Sequence, residues 1–159
     1  MKLSRRTLIG MSAAAVAAPT LLRMRSAKAA EVTLRLHHFL PPKSNAHARL
    51  LDPWAKKVGE VSGGKVEIQI FPAMQLGGKP PELYDQAKDG VVDIVWTLPG
   101  YTPGRFPRTE VFELPFIASP RGIVNAKASQ EYAEAHLGEA TKDVKVLAFW
   151  SHDHGVIHC

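Results

Sequence analysis

The sequence predicts an α/β domain with a mainly parallel sheet flanked by helices, set behind an export leader. Three observations carry that reading. Strand-patterned runs alternate with helix-patterned runs from Val32 to Trp150, the order that builds parallel sheets with right-handed crossovers. Val91 to Thr97 is apolar at nearly every position, interrupted only by Asp93, as in a strand covered on both faces. The charge is also unevenly placed. The 159-residue chain has a formal net charge of +5, yet residues 1–30 hold Lys2, Arg5, Arg6, Arg23, Arg25 and Lys28 without one acid. The remainder nets −1, so the folded part carries no basic patch of the nucleic-acid-binding kind. Roughly 130 residues after the leader suffice for one domain with a core and are short for two. The single cysteine, Cys159, excludes an internal disulfide framework and a cysteine-based zinc site.

The leader is justified first. Lys2, Arg5 and Arg6 precede an apolar, Ala-rich stretch from Leu8 to Leu22 that is broken by Pro19. About fifteen mildly apolar residues are too few for a membrane span of roughly twenty. Ala27-Lys28-Ala29 places small residues where a signal peptidase reads them, so residues 1–29 are expected to be removed. Ser4-Arg5-Arg6-Thr7-Leu8-Ile9 resembles a twin-arginine export signal, and the periplasm is the expected destination.

Elements then follow in order. Val32 to Leu36 alternates as a strand and stops at Pro41-Pro42. A helix capped at Ser44 or Asn45 is expected to run to Val61, with Leu50, Leu51, Trp54, Val58 and Val61 on one face. Pro53 lies inside that pattern and should bend or restart it. Lys65 to Phe71 alternates strictly and forms the second strand; Trp54 and Phe71 are expected in the core. Gly77-Gly78 opens a loop, Pro80-Pro81 begins a short helix through Lys88, and Gly90 ends it. Val91 to Thr97 is the third strand. Pro99 to Pro107 is an irregular loop, Pro120 to Leu137 a helix ended by Gly138, and Val144 to Trp150 a last strand.

In open parallel sheets, ligands sit beyond the carboxyl ends of the strands. That rule selects His37-His38-Phe39, Trp96-Thr97-Leu98 and Trp150-Ser151-His152-Asp153-His154, segments rich in aromatics and imidazoles. The candidate binding residues are His38, Phe39, Trp96, Thr97, Leu98, Trp150, His152 and His154. The tryptophans would pack on a carbon skeleton and the histidines donate hydrogen bonds; Pro99 to Gly104 is a candidate wall of the cleft. An alternative is an exported metal-dependent hydrolase, with His37 or His38 meeting His152 and His154 as nitrogen ligands. No HExxH spacing supports it. Ser151-His152-Asp153 cannot act as a relay, because neighbours on a strand point to opposite faces. Gly77-Gly78-Lys79 lacks the length of a phosphate-binding loop, and no enzyme motif survives.

The same residues carry a resemblance. His37-His38-Phe39-Leu40-Pro41, Asn45-Ala46-His47, Phe71-Pro72-Ala73-Met74-Gln75-Leu76-Gly77-Gly78, Gly90-Val91-Val92-Asp93-Ile94 and Glu113-Leu114-Pro115-Phe116 occur in the order found in one family. The chain resembles the periplasmic solute-binding proteins of tripartite ATP-independent periplasmic (TRAP) transporters, of the dicarboxylate-binding, DctP-like type. The resemblance implies a periplasmic-binding-protein-like lobe over residues 30–159, the N-terminal half of a two-lobed receptor. It also implies no enzymatic activity, no cofactor, a small organic acid as ligand and a membrane permease as partner. The family's carboxylate-pairing arginine belongs to the second lobe. Many members also carry a glycine and an arginine after the Val144–Trp150 strand, where this chain reads Ser151-His152-Asp153-His154. Taken alone, one lobe is expected to expose its cleft face and the surface meant for its partner lobe.

Overall fold

The computed structural model describes residues 30–114 and 116–151. The leader, residues 1–29, and the histidines at 152 and 154 lie outside the described residues. Three parallel strands form one sheet in the order β2-β1-β3: β1 (Val32–His38), β2 (Val66–Phe71) and β3 (Ile94–Trp96). Leu34 pairs with Ile68, Leu36 with both Ile70 and Ile94, and His38 with Trp96. Because side chains alternate along a strand, these residues share one face, while Arg35, His37, Phe71 and Val95 share the other. Leu36 is 1% exposed and lies at the centre of the core.

The first helical stretch shows how one proline shapes a helix. Ser44 caps it as expected, its hydroxyl accepting the His47 N–H at 3.3 Å. A π-helical turn, His47–Leu51, then precedes α1 (Asp52–Val61). Pro53 has no N–H to offer and its ring would strike the carbonyl four residues back. Widening the preceding turn, so that the Asp52 N–H reaches the His47 carbonyl, removes the conflict. The wide turn also shifts the helical phase. The expected five-residue stripe is therefore split: Leu51 and Ala55 are buried, Trp54 is half-buried, and Leu50 and Val61 are exposed.

After β2, Ala73 and Met74 take left-handed conformations, φ 52° and 57°, and are held there by donating to the carbonyls of Leu40 (2.9 Å) and His38 (3.1 Å). A short 3-10 turn, Pro80–Glu82, leads into α2 (Leu83–Lys88), which Gly90 ends at φ 72°. The third strand is shorter than the sequence suggests. Val91 and Val92 both donate to the Gln86 carbonyl (2.8 and 3.2 Å), closing α2 instead of entering the ladder. The loop from Pro99 onward contains two further 3-10 turns, Pro99–Tyr101 and Thr109–Glu113. Arg105 anchors it with two bonds to Asp85 (2.8 and 2.7 Å) while stacking over Tyr84.

The long helix α3 (Gly122–His136) is opened by Asn125, whose side-chain amide bonds both the N–H and the carbonyl of Ser119. Its buried side is polar and small, Asn125, Ser129 and Ala133, while Ile123 and Val124 face outward. Leu114, Phe116 and Ile117 are exposed as well. One expectation fails. Residues 145–150 form no strand, and the Phe149 N–H is bonded to the Gln130 side chain at 2.7 Å. A strand exists only through a partner's backbone. This run faces the outer edge of β3 across a cavity and makes no ladder with it.

Leu36→Ala should lower the unfolding free energy of the complete gene product by about 2–5 kcal/mol, whereas Val61→Ala, at a position 71% exposed, should change it by less than about 0.5 kcal/mol. Paired denaturant titrations check the contrast.

Candidate functional site

The carboxyl ends of β1 and β3 converge on an aromatic wall. Phe39 stacks on Trp96 with centroids 5.2 Å apart and planes at 28°. Tyr101 meets Phe39 edge-on at 5.1 Å, and Trp150 lies 6.3 Å from Trp96. The end of the expected last strand, Val144 to Trp150, thus still delivers Trp150 to the site, although the strand itself does not form. Phe39, Trp96, Thr97, Leu98, Tyr101 and Trp150 all line a cavity of about 1060 Å³ along the outer edge of β3. Its charged lining residues among those described are Asp93, Asp143 and Lys145. Such a wall is built to hold a flat carbon skeleton, because offset and edge-to-face ring contacts add to apolar burial.

The two histidines at the end of β1 are fully buried and already engaged. His37 accepts the Leu76 N–H at Nε2 (3.3 Å), so its proton sits on Nδ1 and is donated to the Gln86 side-chain oxygen at 2.7 Å. Gln86 in turn donates to the Gly77 carbonyl at 3.1 Å. His38 accepts the Leu40 N–H at Nδ1 (3.1 Å) and must therefore donate from Nε2 to Nδ1 of His47 at 2.9 Å. Burial, and then the neighbouring imidazoles of His47 and His37, push the His38 pKa down to about 4. His37 and His38 thus spend both ring nitrogens inside the protein. Neither is free to bind a ligand or metal in this arrangement, and His38 touches the wall only by meeting Trp96 edge-on at 6.4 Å. Among the described residues, no group of three or more His, Cys, Asp or Glu side chains is placed to hold a metal ion.

Two residues that position this site carry no local signal in the sequence. His47 and Gln86 lie on separate helical segments, and only the fold brings them to the ends of β1. Tyr101 belongs to the loop anticipated as a cleft wall and supplies an aromatic edge.

Comparison with known proteins agrees with this geometry. Residues 36–157 match the bacterial extracellular solute-binding protein family 7, DctP. The chain belongs to that family. A TRAP solute-binding protein from a marine metagenome, specific for aromatic acid ligands and solved with 3-hydroxybenzoate, is 51% identical with a TM-score of 0.72, over 76% of this chain and 38% of that one. A TRAP solute-binding protein of Rhodoferax ferrireducens T118, solved with copurified benzoate, is also 51% identical, with a TM-score of 0.70 over 73% of this chain and 36% of that one. The outer membrane transporter protein TsaT of Comamonas testosteroni is 26% identical over 79% of this chain and 37% of its own length. The chain therefore spans less than two-fifths of these relatives. The likeness also fixes the fold class: a parallel sheet flanked by helices, as in a lobe of a TRAP solute-binding protein.

The depressed His38 pKa makes stability depend on acid in a defined direction. Unfolded, the imidazole binds a proton near pH 6.5; folded, only near pH 4. Its contribution is complete above about pH 6.5, falls as pH drops through that window, and levels off below about pH 4. Denaturant titrations from pH 7.5 to 3.5 should show this fall, and His38→Gln should flatten it.

Proposed function

We propose that the complete gene product is an exported, periplasmic solute-binding receptor that captures an aromatic carboxylate and hands it to the permease of a TRAP transporter. In this reading residues 1–29 are a twin-arginine signal peptide and residues 30–159 the first lobe of a two-lobed protein that closes by a hinge motion. It binds and releases its ligand unchanged, without cofactor or catalysis. The observation that supports the aromatic class is the wall of Phe39, Trp96, Tyr101 and Trp150. The two relatives at 51% identity, solved with 3-hydroxybenzoate and benzoate, favour the same class. Thr97 and Leu98 complete the apolar rim, and His38 stands behind it; the histidines at 152 and 154 are proposed as polar contacts. The carboxylate would be paired by an arginine of the other lobe, as the family resemblance implies, since the described cavity offers only Lys145 as a cation.

A thermal-shift panel of 3-hydroxybenzoate, benzoate, succinate and galacturonate tests the reading. The aromatic acids should raise Tm, with a shift that grows with the logarithm of concentration. Trp96→Ala should weaken 3-hydroxybenzoate by about tenfold or more, the loss of a stacked aromatic contact and its burial. Silence across the panel would sink the receptor reading, and a preference for succinate would remove the aromatic refinement alone. For the export route, changing Arg5 and Arg6 together to lysine should leave unprocessed precursor in the cytoplasm, read by fractionation; continued export would exclude the twin-arginine route.

A further inference from the structure

The His38–His47 pair connects the aromatic wall to the π-helical turn that Pro53 imposes, and its proton arrangement admits one solution. Leu40 N–H points at His38 Nδ1, so the neutral ring carries its proton on Nε2. His47 must then present a bare Nδ1 at 2.9 Å. Adding a proton to His38 displaces the Leu40 N–H, and adding one to His47 at Nδ1 sets two donors against each other. Either event breaks the link while leaving the rest of the wall's covalent frame in place. His38 stands at 88° to Trp96, and Leu40 follows Phe39 directly, so the pair braces both members of the stacked Phe39–Trp96 contact.

Solvent reaches this brace from one side. The half-buried His47 lines a second hollow, of about 690 Å³, between α1 and β2. The charged groups lining it are the Asp52–Lys56 ion pair of α1 and Glu67 of β2, and His37 is the further imidazole beside His38.

We propose that His47, acting through His38, is a positioning residue for the aromatic wall, and that protonation of His38 releases the wall and lowers affinity for an aromatic carboxylate. This rests on the receptor function proposed above. A periplasmic protein meets the acidity of its surroundings, so the device would make capture weaken in acid ahead of unfolding.

Calorimetry on the complete gene product with 3-hydroxybenzoate as probe tests it, comparing wild type, His47→Ala, His47→Asn and His38→Gln. Asparagine places a carbonyl oxygen where Nδ1 stands and does not titrate. At pH 7.5 His47→Ala should bind about tenfold more weakly and His47→Asn within about threefold of wild type. From pH 7.5 to 3.5, wild type should lose about threefold more affinity than His38→Gln, which keeps a donor where Nε2 stands and does not titrate, a comparison in which the probe's own ionisation cancels. Equal affinity of His47→Ala and wild type, or coincident pH profiles of wild type and His38→Gln, would overturn the proposal. Tryptophan emission of the ligand-free proteins separates the two readings. Should no protein bind the probe, a change in emission in His47→Ala that His47→Asn restores keeps the brace and removes the aromatic ligand class; unchanged emission in both removes the brace.

Discussion

The whole arrangement hangs on the end of the central strand and the two residues that follow it, His37 to Leu40. Their backbone carbonyls and imidazoles accept four loop N–H groups: Ala73 at Leu40, Met74 at His38, Leu76 at His37 Nε2, and Leu40 itself at His38 Nδ1. The first three of these bonds tie the loop after β2 to the end of β1. The two rings face opposite sides of the sheet, and each reaches a different helical segment: His37 binds Gln86 of α2, His38 binds His47 before α1. Two adjacent residues thus clamp both layers of the domain to one strand. The left-handed Ala73 and Met74, an uncommon conformation for residues with a Cβ, are tolerated because this clamp fixes the loop that contains them.

Much of this was legible in the sequence, and the exceptions have physical causes. The alternation of Val66, Ile68 and Ile70 and the glycine at position 90 mark β2 and the end of α2, because both signals are local. The apolar run at Val91 is a poor guide to where β3 starts, since Val91 and Val92 serve the helix before them as well as the strand after them. The run at residues 144–150 has strand composition, yet a ladder needs a partner at the right distance, which composition does not encode. On the site, the topological rule selects Phe39, Trp96, Thr97, Leu98 and Trp150, and these line one cavity. It does not anticipate the role of the imidazoles of His37 and His38. Histidine at a strand end is read as a ligand contact, whereas His37 and His38 are consumed by the protein, and nothing near His47 or Gln86 in sequence reveals that they consume them.

The division of labour in the cavity follows from the same economy. The polar capacity at the β1 end is spent on holding loops and helices, so what remains to face the cavity is aromatic and apolar. A wall of this kind selects shape and hydrophobic character. In the receptor function proposed above, recognition of charge then falls to groups elsewhere.

The sheet's register has one more consequence. β1 is matched to β2 over six residue pairs but to β3 over only three. Amide protons along the β1–β2 seam should be the slowest in the domain to exchange with solvent, and those of β3 among the quicker ones in the sheet. Phe39 is therefore mounted on the stiff side of the domain and Trp96 on the compliant side. A ligand pressed against the pair meets a fixed jaw and a yielding one.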